Sequence, residues 1–176
     1  MAQIQLIVGP VGAGKSTFGL QLSHDHAAVR LTLDDWMTRL FSPDRPAEGV
    51  MDWYVERCER CVDQIWRVAA SLIAANTNVV LEIGLIRRHE RERTYWRAET
   101  ENIDLVVHVV DAPRALRRER VLARNSERGE TFSMTVPEPI FELASDMWEP
   151  VADAECNGRD VHFVSAAQGL KPTETP

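Results

Sequence analysis

Gly9-Pro-Val-Gly-Ala-Gly-Lys-Ser-Thr17 follows directly on the apolar run Ile4-Gln-Leu-Ile-Val8, and this stretch decides the predicted fold. A short buried strand that runs into a glycine-rich turn and a helix is typical of a nucleotide-binding loop. Glycines let the backbone curl around the phosphates, while N–H groups and the helix N-terminus supply positive partial charge. Lys15 is predicted to reach the β- and γ-phosphates, and Ser16 to coordinate Mg²⁺. The predicted nucleotide-binding residues are Gly9, Gly12, Ala13, Gly14, Lys15, Ser16 and Thr17.

Length and charge limit the fold and the partners of the chain. Its 176 residues are the size of one α/β domain, so we expect residues 1–176 to form a single domain. A net charge of −7 argues against a general affinity for nucleic acid or acidic membranes, because both need a basic surface. No apolar stretch approaches the ~20 residues that span a bilayer. The three cysteines form no disulfide framework, no secretion signal is recognisable, and we expect a cytoplasmic protein.

Strands and helices are predicted to alternate along the chain. The predicted strands are Ile4–Val8, Val29–Leu33, Val79–Ile83, Leu105–Val110 and Val161–Val164, and the helices cover about 15–26, 51–72, 87–101, 114–126 and 140–148. Strands separated by such helices form a parallel sheet that is covered on both faces. The predicted fold class is therefore a three-layer α/β/α protein with a five-stranded parallel sheet. A turn-rich segment at about 41–50 is expected to be a mobile loop near the site.

Acidic residues are predicted at the carboxyl ends of three strands, where parallel sheets bind their ligands. Asp34 and Asp35 follow the second strand. We prefer Asp34 as the general base that accepts a hydroxyl proton, and Asp35 is its competitor because the sequence does not determine which carboxylate faces inward. In the alternative interpretation, one of the two is the N-cap of a short helix over residues 36–41.

Glu82 and Asp111 are competing candidates for the acid that holds Mg²⁺ or one of its water ligands. Glu82 ends the apolar run Val79-Val-Leu81 late in the third predicted strand, and Asp111 directly follows the fourth. Asp111 also has a ready capping role before Pro113. We therefore predict that the metal site consists of Ser16 and Glu82.

The segment from Arg114 to Glu130 holds six arginines and three glutamates. Arg117, Arg120 and Arg124 fall on one face of its predicted helix. Planar guanidinium groups on a segment that folds over ATP can bridge the β- and γ-phosphate oxygens. We expect residues 114–148 to form a helical lid in which Arg120 and Arg124 are catalytic. The alternative is a solvated helix with Glu–Arg pairs.

Asp35, Trp36 and Arg87 are the candidates for contact with the acceptor substrate. Trp36 lies near the 41–50 loop and is either a wall of the acceptor pocket or part of the core. Arg87 begins the helix after the third strand and either contacts an anionic acceptor or lies on a solvated face. The pair Cys58-Glu-Arg-Cys61 has the spacing of half a metal site, but no second pair follows it, so we expect buried thiols.

Residues 2 to about 165 resemble one branch of the P-loop kinases, which includes the kinase domain of polynucleotide kinase, chloramphenicol phosphotransferase and zeta toxins. The resemblance is carried by the loop at 9–17, Leu-Thr-Leu-Asp34-Asp35-Trp, Val-Val-Leu-Glu82, and Asp111-Ala-Pro followed by Arg117, Arg120 and Arg124. It implies the use of ATP and Mg²⁺, a sheet ordered 2-3-1-4-5, a general base at Asp34 and lid arginines at 120 and 124. Met37 stands where this family often has an arginine, which argues against a phosphorylated acceptor, and Glu82 replaces the more usual aspartate.

Together these observations predict an ATP-dependent small-molecule kinase that transfers the γ-phosphoryl group to an acceptor hydroxyl. The predicted partners are ATP and an unidentified small-molecule acceptor, with no membrane and no nucleic acid. A nucleotide-binding regulatory ATPase or switch protein without such an acceptor is the alternative. A GTPase is not favoured, since neither an Asn-Lys-x-Asp nor an Asp-x-x-Gly motif occurs.

Overall fold

Strands and helices alternate through the part of the chain that the computed structural model describes, residues 1–127, 129 and 132–165. The strands in this part are β1 (Ile4–Val8), β2 (Val29–Thr32), β3 (Val79–Glu82), β4 (Leu105–Asp111) and β5 (Asp160–Ser165). The α-helices in this part are α1 (Lys15–Asp25), α2 (Leu33–Leu40), α3 (Val50–Ala74), α4 (Arg88–Thr100), α5 (Arg114–Glu127), α6 (Glu138–Asp146) and α7 (Asp153–Cys156). The predicted lid also includes residues 128, 130 and 131, which lie outside the described residues.

A parallel sheet of five strands forms the centre of the described chain. Its order is β2-β3-β1-β4-β5, which confirms the predicted order. All five residues of β1 are buried, and Ile4 pairs in register with Val79 of β3 and with Leu105 of β4. The glycine-rich loop after β1 therefore leaves the sheet at its carboxyl edge, between the ends of β3 and β4.

Helices cover both faces of this sheet. Because side chains alternate along a strand, Leu6 packs in the core beneath α3 and α4, whereas Ile7 packs on the opposite face beneath α1. Trp66 of α3 and Tyr95 of α4 are among the largest fully buried side chains of the larger core. Burial of apolar surface, at about 25 cal/mol per Å², is the main favourable contribution to the stability of such a core. The three-layer prediction is thus confirmed.

The second strand ends one residue earlier than predicted, and this changes the setting of the two aspartates. Leu33 is already helical, so Asp34 and Asp35, which were predicted to follow the strand, lie in the first turn of α2. The N-cap is Thr32, whose side chain accepts a hydrogen bond from the Asp35 backbone N–H at 3.2 Å. The alternative interpretation of Asp34 or Asp35 as the N-cap is therefore wrong, because Thr32 already satisfies this N–H group.

The long apolar stripe on α3 is confirmed as a helix, but its first two turns are not covered by the core. Cys61, Ile65 and Ala69 are buried, whereas Met51 is 55% exposed and Val55 is 48% exposed. The stripe therefore divides into a packed half and an open half, and the open half lies next to α2. The short helix α7 was not predicted, because four residues carry too little periodic signal.

A buried ion pair ties α7 to α4. Arg91 and Glu155 are fully buried and form a bidentate pair, with Nε to Oε2 at 2.8 Å and Nη2 to Oε1 at 2.9 Å. The Arg91 Nη1 also donates to the carbonyl of Ile86, and the guanidinium lies over the Trp148 ring at 5.2 Å. Burial favours a raised pKa for the Glu155 carboxyl, but hydrogen bonds from Arg91 and Ala152 outweigh it, so the pKa is lowered.

We expect Glu155→Gln to lower the free energy of unfolding by about 3 kcal/mol or more, because it leaves the Arg91 charge buried without a counter-charge. The matched control is Glu99→Gln, which breaks the exposed pair between Glu99 and Arg159 and should cost less than about 1 kcal/mol. Urea denaturation measures both values. Equal effects of the two substitutions would show that the buried pair contributes no more than a surface pair.

Candidate active site

The glycine-rich loop is folded tightly enough that two of its positions admit no side chain. Gly9 has φ +152° and Gly12 has φ +77°. A Cβ atom on Gly9 would lie 2.0 Å from the carbonyl oxygen of Val110, and one on Gly12 would lie 2.6 Å from that of Arg117. The loop is therefore packed against the end of β4 and the first turns of α5. Backbone N–H groups in a loop of this kind, at the N-terminus of a helix, bind phosphate groups in other nucleotide-binding proteins.

Two side chains at the start of α1 connect this loop to the sheet. The ammonium of Lys15 donates to the carbonyl of Pro10 at 2.8 Å, so it arches back over its own loop. The hydroxyl of Ser16 donates to Oε1 of Glu82 at 2.7 Å. Glu82 is the last residue of β3 and is only 8% exposed. The two predicted metal-site residues are thus in direct contact.

The second carboxylate oxygen of Glu82 is held by Arg30, a residue that the sequence analysis did not single out. Nη2 of Arg30 lies 2.8 Å from Oε2 of Glu82, and both side chains are largely buried. Arg30 precedes Thr32 by two positions on β2, and Thr32 pairs in register with Glu82. Because residues two apart face the same side of a strand, the order of the strands would have revealed this contact.

Asp111, the competitor of Glu82, makes a local contact instead. Its carboxylate accepts a hydrogen bond from the backbone N–H of Ala112 at 2.7 Å, and the residue is exposed at the end of β4. This bond orders the turn that leads into α5. Of the two acids, Glu82 is the one that touches Ser16.

Lys15, Asp34, Glu82 and Arg124 form a cluster of charges above the carboxyl edge of the sheet. Burial lowers the pKa of Lys15, while Glu82 and Asp34 act to raise it and Arg124 to lower it. The pKa of Asp34 is raised, mainly by burial and also by the charge of Glu82. Lys15 and Arg124 act to lower it but do not outweigh these effects. Asp34 nevertheless remains accessible to solvent. Its carboxylate therefore lines an open cleft whose walls remove much of its hydration.

The three arginines on one face of α5 have different surroundings. Arg117 is buried and donates to the carbonyls of Ala112 and Val11, each at 3.0 Å, so it supports the loop from below. Nη1 of Arg120 lies 3.3 Å from the carbonyl of Ala13. Nε of Arg124 is buried and has no hydrogen-bond partner among the described residues. Arg124 is thus a desolvated donor beside Lys15 and Asp34.

Arg114 and Arg118, at the start of α5, form the Glu–Arg pairs of a solvated helix, which was the alternative interpretation of this segment. Arg114 and Arg118 both pair with Glu142 of α6, and Arg114 also pairs with Asp146 at 2.7 Å. All four side chains are at least partly exposed. These pairs pack α6 against α5, while the neighbouring face of α5, with Arg117, Arg120 and Arg124, approaches the glycine-rich loop.

A segment between α5 and α6 reaches across to α2, and the sequence analysis missed it. Ser133 donates from Oγ to Oδ1 of Asp35 at 3.1 Å, and Thr38 donates to the Ser133 carbonyl at 3.4 Å. Asn125 of α5 holds the same segment by two hydrogen bonds to the backbone of Val136, at 2.8 and 3.0 Å. The helix that carries Arg124 is thereby linked to the helix that carries Asp34.

The other two acceptor candidates are Arg87 and Trp36. Arg87 is exposed at the N-terminus of α4, and its backbone N–H donates to Glu90 at 2.8 Å. None of its side-chain atoms bonds to another described residue. Trp36 is partly buried and packs against the larger core. Cys58 and Cys61 are free thiols on α3, and no group of three metal-ligating side chains occurs within the described residues.

The comparisons with known proteins agree with this geometry. Residues 4–143 match the family AAA_33, described as an AAA domain. The chain belongs to this family. No curated protein matches the chain.

Solved structures with the same fold as this AAA_33 protein include several kinases. Kti12 from Chaetomium thermophilum, in complex with ADP-AlF3, has a TM-score of 0.69 at 13% identity, over 93% of this chain and 89% of that one. The APS kinase CysC from Mycobacterium tuberculosis, in complex with AMPPNP and APS, has a TM-score of 0.62 at 16% identity, over 95% and 90%. A gluconokinase from Sinorhizobium meliloti has a TM-score of 0.59 at 15% identity, over 95% and 83%. None of the described helices is long and apolar enough to cross a membrane.

We expect Gly12→Ala to weaken binding of a fluorescent ATP analogue by about tenfold or more, because losing one N–H bond to phosphate costs about 1.5 kcal/mol. The new Cβ would overlap the Arg117 carbonyl and displace the loop. The control is Gly158→Ala, which has nearly the same φ, +74°, but no atom within 4 Å of the added carbon. If both variants bind equally well, the loop does not depend on this close approach.

Proposed function

We propose that this AAA_33 protein is an ATP-dependent kinase that transfers the γ-phosphoryl group to the hydroxyl of a small molecule within one domain. The observation that carries the proposal is the convergence of Lys15, Ser16, Glu82, Asp34 and Arg124 on one cleft. Phosphoryl transfer requires mainly positioning and charge neutralisation, and these residues have the chemistry for both. The kinase relatives in the fold comparison support the same reaction class.

The oxygen ligands at the start of α1 suit a magnesium ion. A hydroxyl and a carboxylate oxygen 2.7 Å apart, from Ser16 and Glu82, are the hard ligands that Mg²⁺ prefers. Bound Mg²⁺ would neutralise charge on the β- and γ-phosphates. Arg30 holds the second oxygen of Glu82, so the carboxylate keeps its orientation toward Ser16.

Each remaining residue has a role in moving the phosphoryl group. Lys15 leaves the Pro10 carbonyl and binds the β- and γ-phosphate oxygens, and the unpartnered Nε of Arg124 donates to the same phosphates. The oxygen of the acceptor hydroxyl attacks the γ-phosphorus while Asp34 accepts the hydroxyl proton. The bond between the γ-phosphorus and the bridging oxygen breaks, and ADP leaves with that oxygen. The segment at 132–136, which Ser133 links to Asp35, is the candidate for closing over bound ATP and keeping water from the phosphate.

A regulatory ATPase without a small-molecule acceptor is the second candidate. The contact between Ser133 and Asp35 favours it, because this contact links the nucleotide side of the cleft to α2 and could transmit nucleotide binding. Incubation with labelled ATP and a metabolite panel separates the two functions. A kinase transfers label to a metabolite, whereas a regulatory ATPase releases only inorganic phosphate at a rate that no metabolite changes.

We expect Asp34→Asn to lower the rate of phosphoryl transfer by about 100-fold or more while ATP binding persists, the usual scale for a general base. Asp35→Asn, the isosteric neighbour, should lower it far less. Because the pKa of Asp34 is raised, wild-type activity should fall with acidity at a higher pH than for an ordinary carboxyl group. Rates of ADP formation, measured with an acceptor that the wild-type protein phosphorylates, test all three expectations. If the two variants lose the same fraction of the transfer rate, Asp34 is not the general base.

Glu82→Gln should abolish most of the gain in ATP affinity that Mg²⁺ gives, because a neutral amide is a poor ligand for this ion. The measurement is titration of the fluorescent ATP analogue with Mg²⁺ and again with EDTA. Glu92→Gln, in an exposed pair on α4, is the control and should keep the full gain. A Glu82→Gln protein that keeps the gain would exclude Glu82 from the metal site.

A further inference from the structure

The guanidinium of Arg30 is a largely buried positive charge in direct contact with Glu82. Its Nη2 lies 2.8 Å from Oε2 of Glu82, and the two side chains are only 19% and 9% exposed. The other carboxylate oxygen accepts the hydrogen bond from Ser16 at 2.7 Å. Both oxygens of Glu82 are thus engaged within the protein, and an arginine balances its negative charge.

A glycine within α1 makes room for this arginine. A Cβ atom on Gly19 would lie 3.2 Å from Nε and 3.7 Å from Cδ of Arg30, and 3.1 Å from Cδ1 of Ile7. Glycine is unfavourable inside a helix, because it loses more backbone freedom on folding than alanine does. The position of Arg30 beside Glu82 is therefore kept at the expense of helix propensity in α1.

The same arginine leaves one of its own donors unsatisfied. Its Nε is buried and has no hydrogen-bond partner among the described residues. A buried donor without a partner lowers stability, so such groups are uncommon in folded proteins. Replacing a buried ion pair by apolar side chains is often neutral or stabilising. The retained pair therefore points to a task for the charge that Arg30 places at Glu82.

Other contacts account for the neighbouring charges of the cleft. The ammonium of Lys15 donates to the carbonyl of Pro10, and in the proposed function it moves to the phosphates together with Arg124. Asp34 lies in the first turn of α2 and is assigned to the acceptor hydroxyl. Among the described residues, Arg30 is the cation in contact with Glu82, so the charge at the metal site depends on it.

We propose that Arg30 is a positioning residue that keeps divalent metal ions out of the nucleotide-free site, so that Mg²⁺ binds tightly only together with ATP. This rests on the Mg²⁺ site of the proposed function. Mg²⁺ is octahedral and is usually bound by one or two carboxylates together with substrate phosphates. Without ATP, Arg30 neutralises Glu82 and repels a second cation beside it. The phosphates of ATP supply the missing oxygens and negative charge.

The first experiment uses the wild-type protein and Mn²⁺, an ion that takes the same oxygen ligands as Mg²⁺. Electron paramagnetic resonance measures the Mn²⁺ bound to protein, alone and with AMPPNP, after subtraction of the Mn²⁺ held by free AMPPNP. We expect binding to be weaker without AMPPNP by about tenfold or more. Equal affinities overturn the inference and leave the metal site in place.

Two further outcomes separate this inference from the proposed function. Absence of Mn²⁺ from the protein in both conditions overturns the metal site and the inference together. A protein that binds Mn²⁺ only with AMPPNP, yet transfers phosphate to no acceptor, supports the inference and overturns the kinase function.

The second experiment tests the charge of Arg30 itself. Arg30→Gln should bind Mn²⁺ about tenfold more tightly than wild type in the absence of nucleotide, because the repelling charge is gone. Arg30→Lys keeps the charge and should bind as wild type does. Arg88→Gln, in an exposed pair with Glu92, is the control and should change nothing. A purely structural role would leave the Kd for Mn²⁺ unchanged in Arg30→Gln, and this result overturns the inference.

A double variant shows which carboxylate receives the ion. The tighter Mn²⁺ binding of Arg30→Gln should disappear when Glu82→Gln is added, because the amide is a poor ligand. If the tighter binding persists, another group such as Asp34 holds the ion. That result overturns the assignment of this effect to the pair between Arg30 and Glu82.

Discussion

The carboxylate of Glu82 constrains the site more than any other group. One oxygen accepts from Ser16 at the start of α1 and the other pairs with Arg30 on β2, while the residue itself ends β3. Three elements are therefore held in one arrangement at the carboxyl edge of the sheet. A buried charge of this kind is tolerated only when both oxygens are satisfied. The position of Lys15 above the sheet, and that of Asp34 across the cleft, depend on this arrangement.

Periodic and local signals were enough to predict the sheet and the phosphate loop. The run Ile4–Val8 and the glycines after it specify a buried strand and a tight turn by themselves, and helices between strands impose parallel order. The start of α2 was harder, because Leu33 continues the apolar pattern of β2 and only the cap at Thr32 ends the strand. The open half of the α3 stripe was also invisible in the sequence, since periodicity identifies a helix face without showing what covers it.

Contacts between distant segments account for the site residues that were missed. Arg30 meets Glu82 across 52 positions, and Ser133 meets Asp35 across 98, so neither pair leaves a pattern in a local window. The arginines of α5 fit both predictions made for this helix, arginines directed at the nucleotide site and a solvated helix with Glu–Arg pairs. Arg117 supports the loop and Arg124 reaches the charge cluster, whereas Arg114 and Arg118 form the exposed pairs of an ordinary helix. A single helix can serve both purposes, because its faces point in different directions.

The ion pair between Arg91 and Glu155 extends the folding unit beyond the residues that match the family. The family match stops at residue 143, yet the counter-charge of Arg91 is at 155 and β5 pairs with β4 from Asp160 onward. A fragment trimmed to the matched region would keep a guanidinium in the interior with no carboxylate and would expose the edge of β4 to other chains. Expression designs for relatives should therefore be bounded by the last strand of the sheet, not by the extent of sequence similarity.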